Sequence, residues 1–459
     1  MNSNSTKSKV KPKRPKPRPQ PRSEVDGDRS DDAQLGANDE PTAAIGKPKL
    51  KSSDVTGLKY FAMLAPLLER LHNDQCQRDK ANQRDLHYDQ YCMLILLYLF
   101  NPTVTSLRAI EQASELKKVQ KKLGCSRSSL ASLSEASRVF DAERLQEIIA
   151  ELGEQSHSLG RHSKLDGIQQ NITLVDGSLV SALPDIMQAS LLKATTGSGL
   201  VKWRLHTHFE VERYVPTRID VTPNQGGDQS ELAVLERTLE ADRLYVMDRG
   251  YAKFALFNAI VAKQSSYVCR VRDNSQYEVL EEHDLTPADI KAGVLSCQTI
   301  CLGASNPKTT APNHRLRLIC VKCSPHTSRG RRQGRGYSST APNSDGILRI
   351  VTNLMDVPAD VIALIYSQRW IIEIFFRFFK QMLGCSHLLS HGANGIKIQC
   401  YCAIIACLLM NLWTGRKPTK RTFEMLCYYF SGLASEVELL AHLDKLKAKD
   451  EAQAAKLQA

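Results

Sequence analysis

The sequence predicts an α/β protein in three stretches: a helical N-terminal region, a strand-rich centre with a β-rich insertion, and a helical C-terminal region. Three observations carry this. Apolar residues recur at helical spacing up to about residue 160, then switch to strict alternation at Asn171. The following residues, to about 265, read strand, strand, strand, helix, strand, helix. From Asp356 onward helical spacing returns, with capping residues between the runs.

At 459 residues the chain holds enough core for two or three domains. Lys and Arg number 61 against 49 Asp and Glu, a formal charge of +12, which favours a polyanionic partner. The 13 cysteines are odd in number and several lie inside apolar runs, with no signal peptide ahead of them. A reducing cytoplasm is expected. The longest apolar runs, 93–100 and 402–410, are too short to span a bilayer and read as buried helices, so no membrane partner is expected.

Residues 1–52 read as a disordered tail. Lysine and arginine mix with proline up to Arg22, which suits solvated polyproline II, and an acidic block follows. Its basic part suits non-specific contact with DNA or simply solubility. From 56 to about 160 the pattern is helical. A helix over 106–124 stops at Gly124, and Ser126 is the expected N-cap of the next. Lys117, Lys118, Lys121, Lys122 and Arg127 surround that turn, which fits either a helix-turn-helix DNA contact or the charged face of a bundle.

The first strand, in NITLVDGSLV, is expected to end at Asp176, before Gly177. In the second, Trp203, Leu205, Thr207 and Phe209 alternate with Arg204, His206 and His208, so the histidines are expected on a polar face, at the surface or behind a site. A hairpin partner from Tyr214 to Val221, a short helix from Glu231 and a buried strand ending in Asp248 follow. Each Asp taken singly is a common turn former. After the strand at 267–272 comes an insertion of about seventy residues, mainly β, with a Gly/Arg loop at 328–338. Cys297, Cys301, Cys320 and Cys323 have spacing to be weighed as a zinc site, although Leu316, Leu318 and Cys320 alternate as ordinary strand residues.

Asp356 and Pro358 are expected to open a helix that runs into residues 366–380, YSQRWIIEIFFRFFK, with Gly384 closing it. Tyr366, Arg369, Glu373 and Lys380 recur at offsets of 3, 7 and 14, which on one helix places them within roughly 60° of arc. Apolar residues cover the rest. The result is a buried helix with one charged seam, either an internal salt-bridge ladder or a carboxylate for metal with cations for phosphate. Further helices are expected over 394–413, 419–430 and 436–448.

The spacing Y-x2-R-x3-E-x6-K resembles the signature of DDE transposases of bacterial insertion sequences, the IS-four family. The Asp-Gly-Ser run at Asp176 and the Asp-Arg-Gly-Tyr run at Asp248 resemble it too, and the likeness covers about residues 100–385. It implies an RNase H-like core in which Asp176, Asp248 and Glu373 are the catalytic, metal-holding carboxylates. The cofactor it implies is Mg²⁺, with Mn²⁺ as a substitute. Tyr366, Arg369 and Lys380 are implied as DNA-binding residues on phosphates, and Trp370 as a base-stacking one, although its place also suits a core.

The expected division is a tail at 1–52, a helical DNA-end-binding domain at 56–160, core parts at 170–265 and 346–392 around an insertion at 266–345, and C-terminal helices at 393–459. The implied function is cut-and-paste transposition on double-stranded DNA, by a homodimer in the synaptic complex, in the bacterial cytoplasm at the nucleoid. Two alternatives stand beside it: a nuclease that cuts without joining, and a catalytically silent DNA-binding regulator.

Overall fold

The strands are β1 (Asn171–Ala182), β2 (Val201–Glu210), β3 (Val215–Pro223), β4 (Arg243–Met247), β5 (Ser266–Arg270), β6 (Tyr277–His283), β7 (Val294–Leu302), β8 (Leu316–Lys322) and β9 (Ile347–Thr352). They form one nine-stranded mixed sheet in the order β3-β2-β1-β4-β5-β9-β8-β7-β6. The computed structural model describes residues 64–72, 84–182, 201–224, 227–303, 311–323, 346–382 and 388–458. The tail at 1–52, the loop at 328–338 and Gly384 therefore lie outside the described residues.

The first three strands form an antiparallel meander, and β4 and β5 run parallel to β1. β9 returns antiparallel to β5, and β8, β7 and β6 continue outward. The β-rich insertion thus extends the same sheet.

The helices, in chain order, are α1 (Ala65–Glu69), α2 (Tyr88–Phe100), α3 (Leu107–Ser114), α4 (Lys117–Leu123), α5 (Leu130–Val139), α6 (Arg144–Gln155), α7 (Glu231–Arg237), α8 (Phe254–Ala262), α9 (Pro287–Lys291), α10 (Ala359–Ser367), α11 (Trp370–Met382), α12 (Ala393–Thr414), α13 (Lys420–Phe430) and α14 (Glu436–Gln458). Those at both ends of the chain share the front of the sheet: Ile148 of α6, Ile365 of α10, Phe375 of α11 and Ile404 of α12 join Leu174, Leu205 and Val246 in one core. On the back, Leu235 of α7 and Phe257 of α8 join Val175, Tyr245 and Met247 in a second core. With both faces covered, β4 reads as a continuous apolar run, as buried parallel strands do. Each such side chain, once buried, contributes about 1.5–3 kcal/mol.

α12 is long and apolar enough, by length and composition, to cross a membrane, but 89% of that span is buried inside the fold. It is a core helix, longer than the apolar run at 402–410 indicated.

Three local expectations are corrected. The helix expected over 106–124 breaks after Ser114, where the Gln120 side chain takes the Ser114 carbonyl at 2.7 Å and the Ser128 amide donates to Ser114 Oγ at 2.9 Å. Gly124 does end α4, at φ 64, but the next helix is capped by Ser129, which accepts from the Ser132 amide at 3.1 Å, and Ser126 lies outside it. The helix expected to run unbroken to residue 380 is two helices, α10 and α11, and α10 starts after Pro358 without a side-chain cap.

Candidate active site

Parallel pairing between β1 and β4 stops at Val175 and Met247. The next residue on each strand is an aspartate, Asp176 and Asp248, on neighbouring strands spaced about 4.8 Å apart. Asp248 directly follows the end of β4, as expected. Asp176 does not end its strand: β1 continues to Ala182, paired from there with β2 alone. By strand alternation Asp176 shares the front face with Leu174.

α11 brings the third carboxylate. Phe375 packs against Phe209 of β2, ring centroids 5.1 Å apart, and seats the helix on the front face beside β1. The link between α10 and α11 is a tight turn, with Arg369 N–H bonded to Tyr366 O at 3.0 Å and Ile372 N–H to Arg369 O at 3.3 Å. Tyr366 therefore sits on α10, Arg369 in the turn, and Glu373 and Lys380 on α11. The four do not share one straight helix face; the turn is what aims Arg369 at the sheet.

Arg369 is the hub. Its Nη2 lies 2.7 Å from Glu373 Oε1 and its Nη1 lies 4.0 Å from Asp176 Oδ2, with the side chain only 12% exposed. Its Nε is buried without a hydrogen-bond partner. Burial opposes the charge on Arg369, but Tyr366, Glu373 and Asp248 beside it outweigh burial and hold it protonated. Burial pushes the Asp176 carboxyl up to about 6, against the Gly177 amide and Arg369, while Glu231 and Glu373 raise it further. The Gly177 N–H donates to Asp176 Oδ1 at 2.8 Å. Tyr366 is buried, and burial raises its phenol well above the ordinary value.

Residues 168–409 match the family model of the transposase DDE domain. The chain belongs to this family. Relatives include a probable transposase for insertion sequence element IS5377 of Geobacillus stearothermophilus, 27% identical over 238 residues, 50% of this chain and 55% of that protein. A putative transposase of Sinorhizobium fredii, y4zB, is 25% identical over 214 residues, 46% of this chain and 52% of the other. A putative transposase for insertion sequence element IS4SA of Synechocystis is 24% identical over 292 residues, 62% and 71% of the two chains. The chain spans about half the length of the first two. A solved piggyBac transposase synaptic complex overlaps 86% of this chain at a TM-score of 0.35 and 9% identity, too loose a likeness to bear on the fold. The resemblance to insertion-sequence transposases read from the signature residues is borne out.

Within this DDE domain the sequence-chosen residues are unevenly placed. Arg369 links Asp176 and Glu373 directly, and Tyr366 and Asp248 lie near enough to act on its charge. Lys380 lies two turns along α11 from Glu373, about 10 Å by helix rise. Trp370 is 47% exposed, with the Arg369 guanidinium 5.3 Å from its ring centre, so the core expectation for it is corrected. Ile374 is 51% exposed beside it, so α11 is not buried all round. Among the described residues, no three His, Cys, Asp or Glu side chains form a group ready to hold a metal.

His206 and His208 are both buried, against the expectation of a polar face, because α7 covers that side of β2. Cys297 lies in the front core and Cys320 in the back core, so the four thiols weighed for zinc do not converge. Glu231 and Arg204, an ion pair behind Asp176, had no sequence signal except Gly177.

Proposed function

We propose that the protein is a DNA transposase that binds the terminal inverted repeats of an insertion sequence and catalyses strand cleavage and strand transfer. The observation that carries this is the placement of Asp176 and Asp248 one residue beyond the last β1–β4 pair, Val175 and Met247, with Glu373 linked to Asp176 through Arg369. The core is then RNase H-like; an antiparallel β1–β2–β3 meander with β4 and β5 parallel to β1 supports that reading. The division proposed from the sequence is kept, with 170–265 and 346–392 as the two parts of the core and 56–160 as the end-binding domain. The exposed Lys117, Lys118, Lys121 and Lys122 on and around α4 suit that role.

The donor chemistry suits a divalent cation: it is all oxygen, as Mg²⁺ or Mn²⁺ prefers, although the three carboxylates do not stand as a ready-made cage. Asp176, Asp248 and Glu373 would hold the metal. When bound it would supply an activated attacking oxygen and charge stabilisation of the leaving one. Arg369 now provides the positive charge among the carboxylates, and its guanidinium would meet a DNA phosphate once a metal takes over those carboxylates. The neutral Tyr366 phenol would donate a hydrogen bond to a phosphate oxygen. Lys380 meets the backbone further along α11, and Trp370 offers an exposed ring face to a base. A 3′-hydroxyl can take the place of water as attacker, so one set of carboxylates serves both cleavage and joining. Double-stranded DNA is then the partner, with a homodimer holding two ends, and the work is done in the bacterial cytoplasm at the nucleoid.

The test is incubation of the full chain with linear DNA carrying the inverted repeats that flank its reading frame. Mg²⁺-dependent cleavage at the repeat ends, and joining of pre-cleaved ends to a target, is expected. Cleavage without joining would leave a nuclease, and binding without either would leave a regulator.

A further inference from the structure

From Asp176 onward β1 has lost its parallel neighbour β4 and is held by β2 alone. A carboxylate that must hold its place therefore sits where its strand is least supported. The support comes from behind. Gly177 faces the back of the sheet, opposite Asp176, and a Cβ there would stand 2.8 Å from Glu231 Cδ. Only a glycine lets the Glu231 carboxylate lie against the strand at this point. Glu231 opens α7 and is ion-paired to Arg204 Nη1. Arg204 sits on β2 opposite Leu179, and its Nε and Nη2 donate to Asn224 Oδ1 at 3.2 and 2.7 Å. The clamp thus ties together α7, β2, the residue after β3 and the unsupported step of β1. Gly177 passes this restraint to Asp176 through its own amide, 2.8 Å from Asp176 Oδ1.

We propose that Glu231, anchored by Arg204, is a positioning residue that buttresses Gly177 and so holds the Asp176 carboxylate in place for the reaction. This rests on the reading of Asp176 as a reacting-site carboxylate. Glu231 is on the back face and acts through the strand, so it is not a reacting group itself. An alanine at 177 would push the flexible end of Glu231 off Arg204, leaving the rest of the fold as it is.

The test uses Glu231→Ala, Glu231→Gln, Gly177→Ala and the Gly177→Ala/Glu231→Ala double variant of the full chain. Single-turnover cleavage of end DNA is expected to fall about ten- to hundredfold in each single variant, the range seen when the residue behind a ligand is lost. The Mg²⁺ concentration for half-maximal rate should rise, while affinity for end DNA stays at the wild-type value. The double variant should be no slower than the slower single one, because both changes break the same contact. Amide exchange across β1 should quicken in Glu231→Ala and Gly177→Ala. Glu231→Ala cleaving at the wild-type rate with an unmoved Mg²⁺ midpoint, or fully additive losses in the double variant, would overturn the proposal. If the wild-type chain cleaves nothing with either metal, the transposase reading fails by itself. Exchange across β1 then still decides the buttress, and unchanged exchange removes it.

Discussion

On the back of β2, His206 Nε2 meets Thr222 Oγ1 at 2.8 Å and His208 Nε2 meets Thr238 Oγ1 at 3.2 Å. On the front of β1, one step away in register, Asp176 meets Arg369 and lies near Glu373. Both places bury groups that can ionise, and in both burial drives them toward neutrality: the histidines down to about 4, the aspartate up to about 6. The partners differ. A threonine hydroxyl meets Nε2 of each histidine; His206 Nδ1 is buried without a partner, and charges of both signs, Asp220, Glu240 and several arginines, act on the pair from further off. The front holds carboxylates of like sign around one guanidinium, in direct ion-pair contact. Polar groups matched to neutral partners stabilise a fold, whereas charges left in excess await a ligand.

The contrast is broken most severely at the aspartates. Asp176→Ala and Asp248→Ala are expected to lower cleavage of end DNA by about a thousandfold or more, with end binding unchanged in a gel-shift assay. His206→Gln and His208→Gln should cleave within a few-fold of wild type. Substantial cleavage by either aspartate variant would remove that residue from the site.

Acid should break the back first. A histidine whose folded pKa is depressed takes its proton more readily in the unfolded chain. Stability is therefore whole above about pH 6.5 and is lost as pH falls toward 4, by on the order of 2–3 kcal/mol per histidine. Denaturant midpoints between pH 7 and 4.5 should drop steeply in the wild type. They should drop less in His208→Gln, and an equal drop would show that the imidazole is not the cause.

Arg369 sharpens the front by a smaller amount. Arg369→Ala should flatten the slope of log K for end DNA against log salt by about 0.9, one phosphate contact. Melting should change by only a few degrees, because Glu373, one third exposed, can turn to water. A large loss of melting temperature with an unchanged slope would make Arg369 an internal salt-bridge partner and nothing more. Lys380→Ala should flatten the salt slope by a similar amount, through loss of a phosphate contact about 10 Å from Glu373 along α11.

Much of this was legible beforehand. Alternation at Asn171 and the buried run before Asp248 gave β1 and β4, and the signature spacing pointed to Glu373. The break at Gln368 and Arg369 was not legible, because no Gly or Pro interrupts that apolar run and only tertiary packing bends it. The burial of His206 and His208 is not legible from alternation, which assumes one wet face, whereas this part of the sheet is covered on both sides. Glu231 left a single trace, the glycine after Asp176, since its contact joins elements that the sequence separates by more than fifty residues.

The most direct measurement is on Glu373, the site carboxylate that Arg369 holds most closely, at 2.7 Å. Glu373→Gln and the wild type should be compared for melting temperature, end binding and single-turnover cleavage in Mg²⁺. A catalytic carboxylate predicts a protein that melts within a few degrees of wild type, binds the ends, and cleaves nothing measurable. Cleavage at the wild-type rate, with the loss confined to melting temperature, would contradict the account and reduce Glu373 to the ion pair it makes with Arg369.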